Sequence, residues 1–197
     1  MDLGTAVAGA WSSGISMWAV AAVLGISGRV GWIDAPAFLQ NPLVIVVSLL
    51  LAVAELVIDK IAFLDSAWDT VHTVLRPVAG ALLLGSSDVS VTDAFLLVGG
   101  GLLALSSHSA KTSARLLVNL SPEPISNVFV SSAEDGIVAL LLALAIGYPR
   151  VALVVTLVLA VCSAAAAFLM YRTVRAAWRR RPWERRPAST PGPESRG

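Results

Sequence analysis

The chain has a single cysteine, Cys162, only two histidines, and few charges for its length. With one thiol, neither an intrachain disulfide nor a cysteine metal site can form. Charged residues make up 14% of the 197 residues, against roughly a quarter in a soluble domain, so much of the chain expects an apolar solvent. His-Glu-x-x-His, Gly-x-Ser-x-Gly and Walker sequences are all missing, which removes the enzymes that declare themselves by such motifs. No cationic segment precedes the first apolar run, since Asp2 is the only charge before Arg29. That run therefore reads as a retained helix and not as a cleaved leader.

What is abundant is apolar sequence: 56% of residues are hydrophobic and mean hydropathy is +0.78. Two runs, 5–26 and 151–171, are free of charge and long enough to cross a bilayer, which takes about 20 residues. Between them 42–58, 71–85, 92–107 and 131–146 are apolar with ionisable groups at or near one end. The expected fold class is all-α, an integral-membrane bundle of about six transmembrane helices over 1–177, followed by a basic, Pro-rich, disordered tail over 178–197. Six spans divide near the turn at 86–90 into two sets of three, a division that permits an inverted repeat. Polar breaks fall at 28–42, at Tyr148-Pro149-Arg150, and at 119–127, where Pro122 and Pro124 disfavour helix and predict a broken segment before the fifth helix.

The net charge of +1 conceals a cluster of arginines after the last run: Arg172, Arg175, Arg179, Arg180, Arg181, Arg185, Arg186 and Arg196. By the positive-inside rule this end is cytoplasmic, and an even number of spans would put the N-terminus there too. The expected partners are the lipid bilayer itself, anionic lipid heads against the Arg-rich tail, and further copies of the chain, with no nucleic acid. The six tryptophans, mostly near the ends of runs, read as interface anchors, and Gly99-Gly100-Gly101 reads as a helix-packing surface.

The chemistry lies in two sets of polar residues. Glu55 and Asp59 share one helical face, and Asp65, Trp68, Asp69, His72 and Arg76 follow steps of three and four on the next. His108, Lys111 and Arg115 repeat that spacing, followed by Asn127, Ser131, Ser132, Glu134 and Asp135. A charge at mid-bilayer costs about 3 kcal/mol, so these groups must pair, face water or sit at the interface. The economical pairing sets Lys111 and Arg115 against Glu55, Asp59 or Glu134, and Arg76 against Asp69, Asp135 or an anion. His72 and His108, each near a carboxylate, would be candidates for proton relay; no cofactor or metal is expected. A cytoplasmic helix-turn-helix with solvated charges is the plainer alternative for 55–76. Against it, the segment 71–84 is too short to span unless His72 and Arg76 enter the membrane.

The run Glu55-x-x-x-Asp59-Lys60, Asp65, Asp69, Arg76-Pro77-x-x-Gly80, then Lys111, Arg115, the Pro-containing break, Ser131 and Glu134-Asp135, resembles the bacterial membrane family known as domain of unknown function 4126. The resemblance runs from the first helix to the last, leaving out the Arg/Pro tail. Ser-Pro-Glu-Pro and Ser126-Asn127 stand where that family has a Gly-rich stretch and Asn-Pro. It implies a polytopic inner-membrane protein and no particular reaction. Three functions fit the residues: a carrier or flippase for an anion or lipid-linked anion, an assembly protein locked by buried ion pairs, or an intramembrane enzyme using a histidine and a carboxylate.

Overall fold

The computed structural model describes residues 1–85, 91–119 and 124–179. Among these residues there are six helices and no strand: α1 (Leu3–Arg29), α2 (Pro42–Ile58), α3 (Ala62–Leu84), α4 (Val91–Asn119), α5 (Pro124–Gly147) and α6 (Pro149–Arg179). The all-α expectation holds, and three of the helices are long and apolar enough to cross a membrane: Leu3–Arg29, Ile125–Gly147 and Pro149–Arg179. The bundle is apolar on the outside. Leu43, Leu50 and Val53 on α2 and Val154, Val158 and Val161 on α6 are each at least 59% exposed, a surface suited to lipid and costly in water.

The first helix is not a straight rod. At Ser16 the backbone leaves helical space (φ −144°, ψ 93°) and the chain doubles back. A Cβ on Gly9 would lie 3.0 Å from Cδ1 of Leu24, although a straight helix would hold those residues about 22 Å apart. The terminal ammonium of Met1 likewise reaches Asp34, just beyond the other limb, at 3.4 Å. Local sequence explains the break: Ser12-Ser13-Gly14 and Ser16 are weak helix formers. Ser16 then caps the second limb, its Oγ accepting from the Ala19 N–H at 3.4 Å.

This helical hairpin occupies the centre of the bundle, in contact with α2, α3, α4, α5 and α6. Small residues make that place available. A Cβ on Gly14 would stand 1.9 Å from the carbonyl oxygen of Ala104, and Gly80 and Gly100 bring α3 and α4 together so closely that a Cβ on Gly100 would stand 2.2 Å from the oxygen of Gly80. Trp11 is buried in the apolar core with Val20, Leu24 and Leu141, so it is not an interface anchor.

Several expectations change with the hairpin. Both ends of α1 lie at one end of the bundle: Thr5 Oγ1 donates to the oxygen of Ala145 at the end of α5, and Gly25 abuts Leu39, close to the start of α2. From there α2 to α6 alternate in direction along the bundle, beside one doubled-back element; three helices have the length and composition of a span, so six spans are not established. The N-terminus and the Arg-bearing end of α6 consequently lie at opposite ends. The two sets of three differ at their first helix, since α1 folds back where α4 is one continuous helix. Around the expected break, α4 continues to Asn119 and α5 starts at Pro124, where proline suits the first helical position. Asn127, Ser131 and Ser132 are thus inside α5, and the connection at 120–123 lies outside the described residues, as does the tail beyond Arg179.

Candidate functional site

Alternation of direction carries the C-terminal end of α2, the N-terminal end of α3, the C-terminal end of α4 and the N-terminal end of α5 to one end of the bundle. Each presents its polar stripe inward. On α5, for example, Asn127, Ser131 and Glu134 are buried on the same face as Val138 and Leu141, steps of three and four that turn from polar to apolar along the helix. The result is an interior charged at one end and apolar at the other, with the tip of the α1 hairpin reaching the boundary.

Arg76 is wholly buried and central. Its Nη2 donates to Glu55 at 2.7 Å, and its Nη1 lies 2.8 Å from Asp69 and 2.8 Å from Nδ1 of His108. Lys111 donates to Asp59 at 2.6 Å and to the free carbonyl of Ile15 in the hairpin tip at 3.3 Å. Arg115 donates to Glu134 at 2.7 Å, to Asn127 at 2.8 Å, and to the carbonyl of Asp59 at 2.8 Å. That last bond satisfies a carbonyl left open where α2 ends. Asp65 lies 3.5 Å from Arg115. Ser16 completes the cluster from the hairpin, donating its hydroxyl hydrogen to Glu55.

The structure thus brings together Glu55, Asp59, Asp65, Asp69, Arg76, His108, Lys111, Arg115, Asn127 and Glu134, all buried. The solvated helix-turn-helix does not describe them. Asp135 stands apart on the rim, 3.8 Å from Lys60; it sits three turns into α5, away from the helix N-terminus. His72 is buried but separate: its Nε2 accepts from Trp18 at 3.0 Å, its Nδ1 faces the Trp68 carbonyl at 2.8 Å, and its ring stacks on Trp68. For His108, a guanidinium can only donate, so Nδ1 accepts from Arg76 and Nε2 carries the hydrogen toward Thr73 Oγ1 at 3.2 Å. Both histidines therefore spend both ring nitrogens on groups other than carboxylates.

Within this buried set five carboxylates (Glu55, Asp59, Asp65, Asp69, Glu134) face three cations (Arg76, Lys111, Arg115). Oδ1 of Asp59, both oxygens of Asp65 and Oδ1 of Asp69 have no hydrogen-bond partner, and neither do Nε of Arg76 and Nε of Arg115. Two of these acids line a cavity of about 220 Å³ between α3 and α4, together with Thr70, Thr73, Thr112 and Arg115. No three His, Cys, Asp or Glu side chains converge as a metal-binding group among the described residues.

Sequence reasoning overlooked the hairpin tip and the threonines. Gly14, Ile15 and Ser16 sit within an apolar run whose hydropathy gives no sign of them, and the available signal was the density of serine and glycine at 12–16. Thr73 and Thr112 lie one turn from Asp69 and His108, on the stripes already marked by charge.

The family model for Domain of unknown function (DUF4126) matches residues 3–170. No curated protein matches the chain, and neither does any solved structure. The chain belongs to this family, which covers the hairpin, the charged cluster and most of α6.

Proposed function

From membership of that family and the geometry of its buried cluster, we propose that the protein is a membrane carrier in which five helices cross the bilayer and α1 is re-entrant. The observation that carries this reading is the hairpin tip, with its broken backbone at Ser16 and its Ile15 carbonyl held by Lys111, set against a buried cluster of ion pairs. Broken helices meeting charge inside a bundle are the arrangement by which carriers hold a guest at depth. The Arg-bearing end of α6 and the charged end of the bundle would face the cytoplasm, and the N-terminus the opposite side. The guest at the cluster would be positive: Arg76, Lys111 and Arg115 already meet carboxylates, so an anion would have to displace them, whereas two carboxylates are in surplus.

The test is thiol accessibility in a Cys162→Ser background, with single cysteines at Leu3, Ser16, Asp69 and Thr173. Impermeant reagents should reach Leu3→Cys and Thr173→Cys from opposite sides of the membrane; labelling from the same side would end the five-pass reading. Ser16→Cys and Asp69→Cys should label from a side that changes with pH or cation.

A second reading, a non-transporting assembly protein, is favoured by the burial of Arg76 among Glu55, Asp69 and His108. Under it, both deep cysteines stay closed in every condition while neutralising one partner unfolds the protein.

A further inference from the structure

The surplus of acid is not spread evenly. It is concentrated on α3, where Asp65 has no exposed surface and neither of its oxygens has a hydrogen-bond partner. Asp69, one turn on, has its Oδ1 near Arg76 and Lys111 but aligned with neither as a hydrogen bond. Across the cavity Thr112 on α4 holds a buried hydroxyl that is also without a partner. Thr70 and Thr73 donate their hydrogens to the carbonyls of Ser66 and Asp69, which leaves oxygen lone pairs on the cavity wall.

Apart from Arg115, the polar groups of the lining are oxygens, the hard ligands that suit alkali and alkaline-earth cations rather than transition metals. Only two carboxylates take part, which favours single over double charge. The cavity has room for a cation and residual water, and its rim at Ser66, Thr70 and Leu116 is exposed. The charges facing Asp65 are Arg115 and Lys111 from α4, Asp59 from α2 and Asp69 from its own helix, with Glu134 of α5 engaging Arg115 from behind. The cations have closer or competing partners: Arg115, which lines the cavity 3.5 Å from Asp65, donates to Glu134 at 2.7 Å, Lys111 is held by Asp59 at 2.6 Å, and Arg76, 2.8 Å from Asp69, also donates to Glu55.

We propose that the α3–α4 cavity binds a monovalent alkali cation of the Na+ class on Asp65 and Asp69, with the Thr112 hydroxyl as a third ligand. The proposal rests on the cluster taking a positive guest, and it names that guest and its place. A bound cation would neutralise part of the surplus at a point where the wall carries polar groups and its rim is exposed.

Binding of radioactive sodium to the purified full-length protein in detergent, against a choline background, tests this directly. Saturable binding is expected, competed by Li+ and unaffected by choline. It should be lost in Asp65→Asn, weakened about tenfold in Thr112→Val as one ligand is removed, and unchanged in Asp135→Asn on the rim. Absence of saturable binding to the folded wild-type protein overturns the proposal, as does equal binding by Asp65→Asn. Should that variant not fold, Thr112→Val decides, since it alters no charge, and an unaltered affinity would be fatal. Binding in detergent needs no transport, so the two readings fail separately. Sodium bound with the deep cysteines always closed removes the carrier and keeps this site; cysteines that open alternately without sodium binding do the reverse.

Discussion

The first and last helices look alike as composition and behave as opposites. Both are long and apolar, but the most hydropathic stretch of Leu3–Arg29 is 78% buried and that of Pro149–Arg179 only 17%. The difference lies in side-chain size. Residues 4–16 of α1 are largely glycine, alanine and serine, which let neighbouring backbones approach and leave hydroxyls for neighbouring carbonyls, as Ser107 on α4 does for Trp11 at 2.5 Å. The first part of α6 is valine and leucine, which serve equally well against lipid. Hydropathy marks a helix as suited to a membrane; the volume of its side chains says whether it is at the centre or the edge of the bundle.

The comparison is sharpest where its inside is most highly charged. Arg76→Leu would strand Glu55 and Asp69 in the interior, an expected loss of about 3–5 kcal/mol, measured by SDS titration in mixed micelles; adding Glu55→Gln should recover part of it. A loss below about 1 kcal/mol would mean that water reaches the cluster freely. Next in size is Gly14→Ala, whose new methyl would meet the Ala104 carbonyl. It should cost about 3 kcal/mol as the hairpin tip is pushed from α4, while the same change at Gly136, where a Cβ meets nothing, should be nearly neutral. A matched pair then separates the two helices directly. Val20→Ala in the hairpin, with no exposed surface, should lose about 2 kcal/mol, whereas Val158→Ala on α6, 59% exposed, should change stability by less than about 0.5 kcal/mol. Equal losses would remove the contrast between centre and edge. The smallest effect is expected of Ser16→Ala, which deletes the cap of the second limb and one donor to Glu55, at about 1 kcal/mol, with Ser16→Thr largely preserving stability.

Much of this fold could be read from the chain. The limits of α2 follow from Asn41-Pro42 and from the acids that end it, and the turn before α6 from Tyr148-Pro149. The charged stripes were visible because steps of three and four place residues on one face whatever the helix packs against. The ends of α3, α4 and α5 were misjudged because apolar runs were taken as whole helices. Asp65 to Arg76 and His108 to Arg115 are helical despite their charge, since paired partners across the bundle offset the cost of burying them. The pairing of Arg76 with both Glu55 and Asp69, and the enclosure of the histidines, needed the distances themselves.

Sequence alone determined the apolar solvent, the helical class, the polar stripes and the need for each buried charge to find a partner, because these follow from composition and from the 3.6-residue period. Only the tertiary structure decided that α1 folds back at Ser16. A serine in an apolar run is compatible with a straight helix or a broken one, and what selects the break is the set of partners waiting at the tip: Glu55 for the hydroxyl, Lys111 for the open Ile15 carbonyl. The same is true of the surplus acid. Counting charges along the chain gives near neutrality, and it is the packing of α3 against α4 that leaves Asp65 facing a cavity with no hydrogen-bond partner and only a 3.5 Å contact to Arg115.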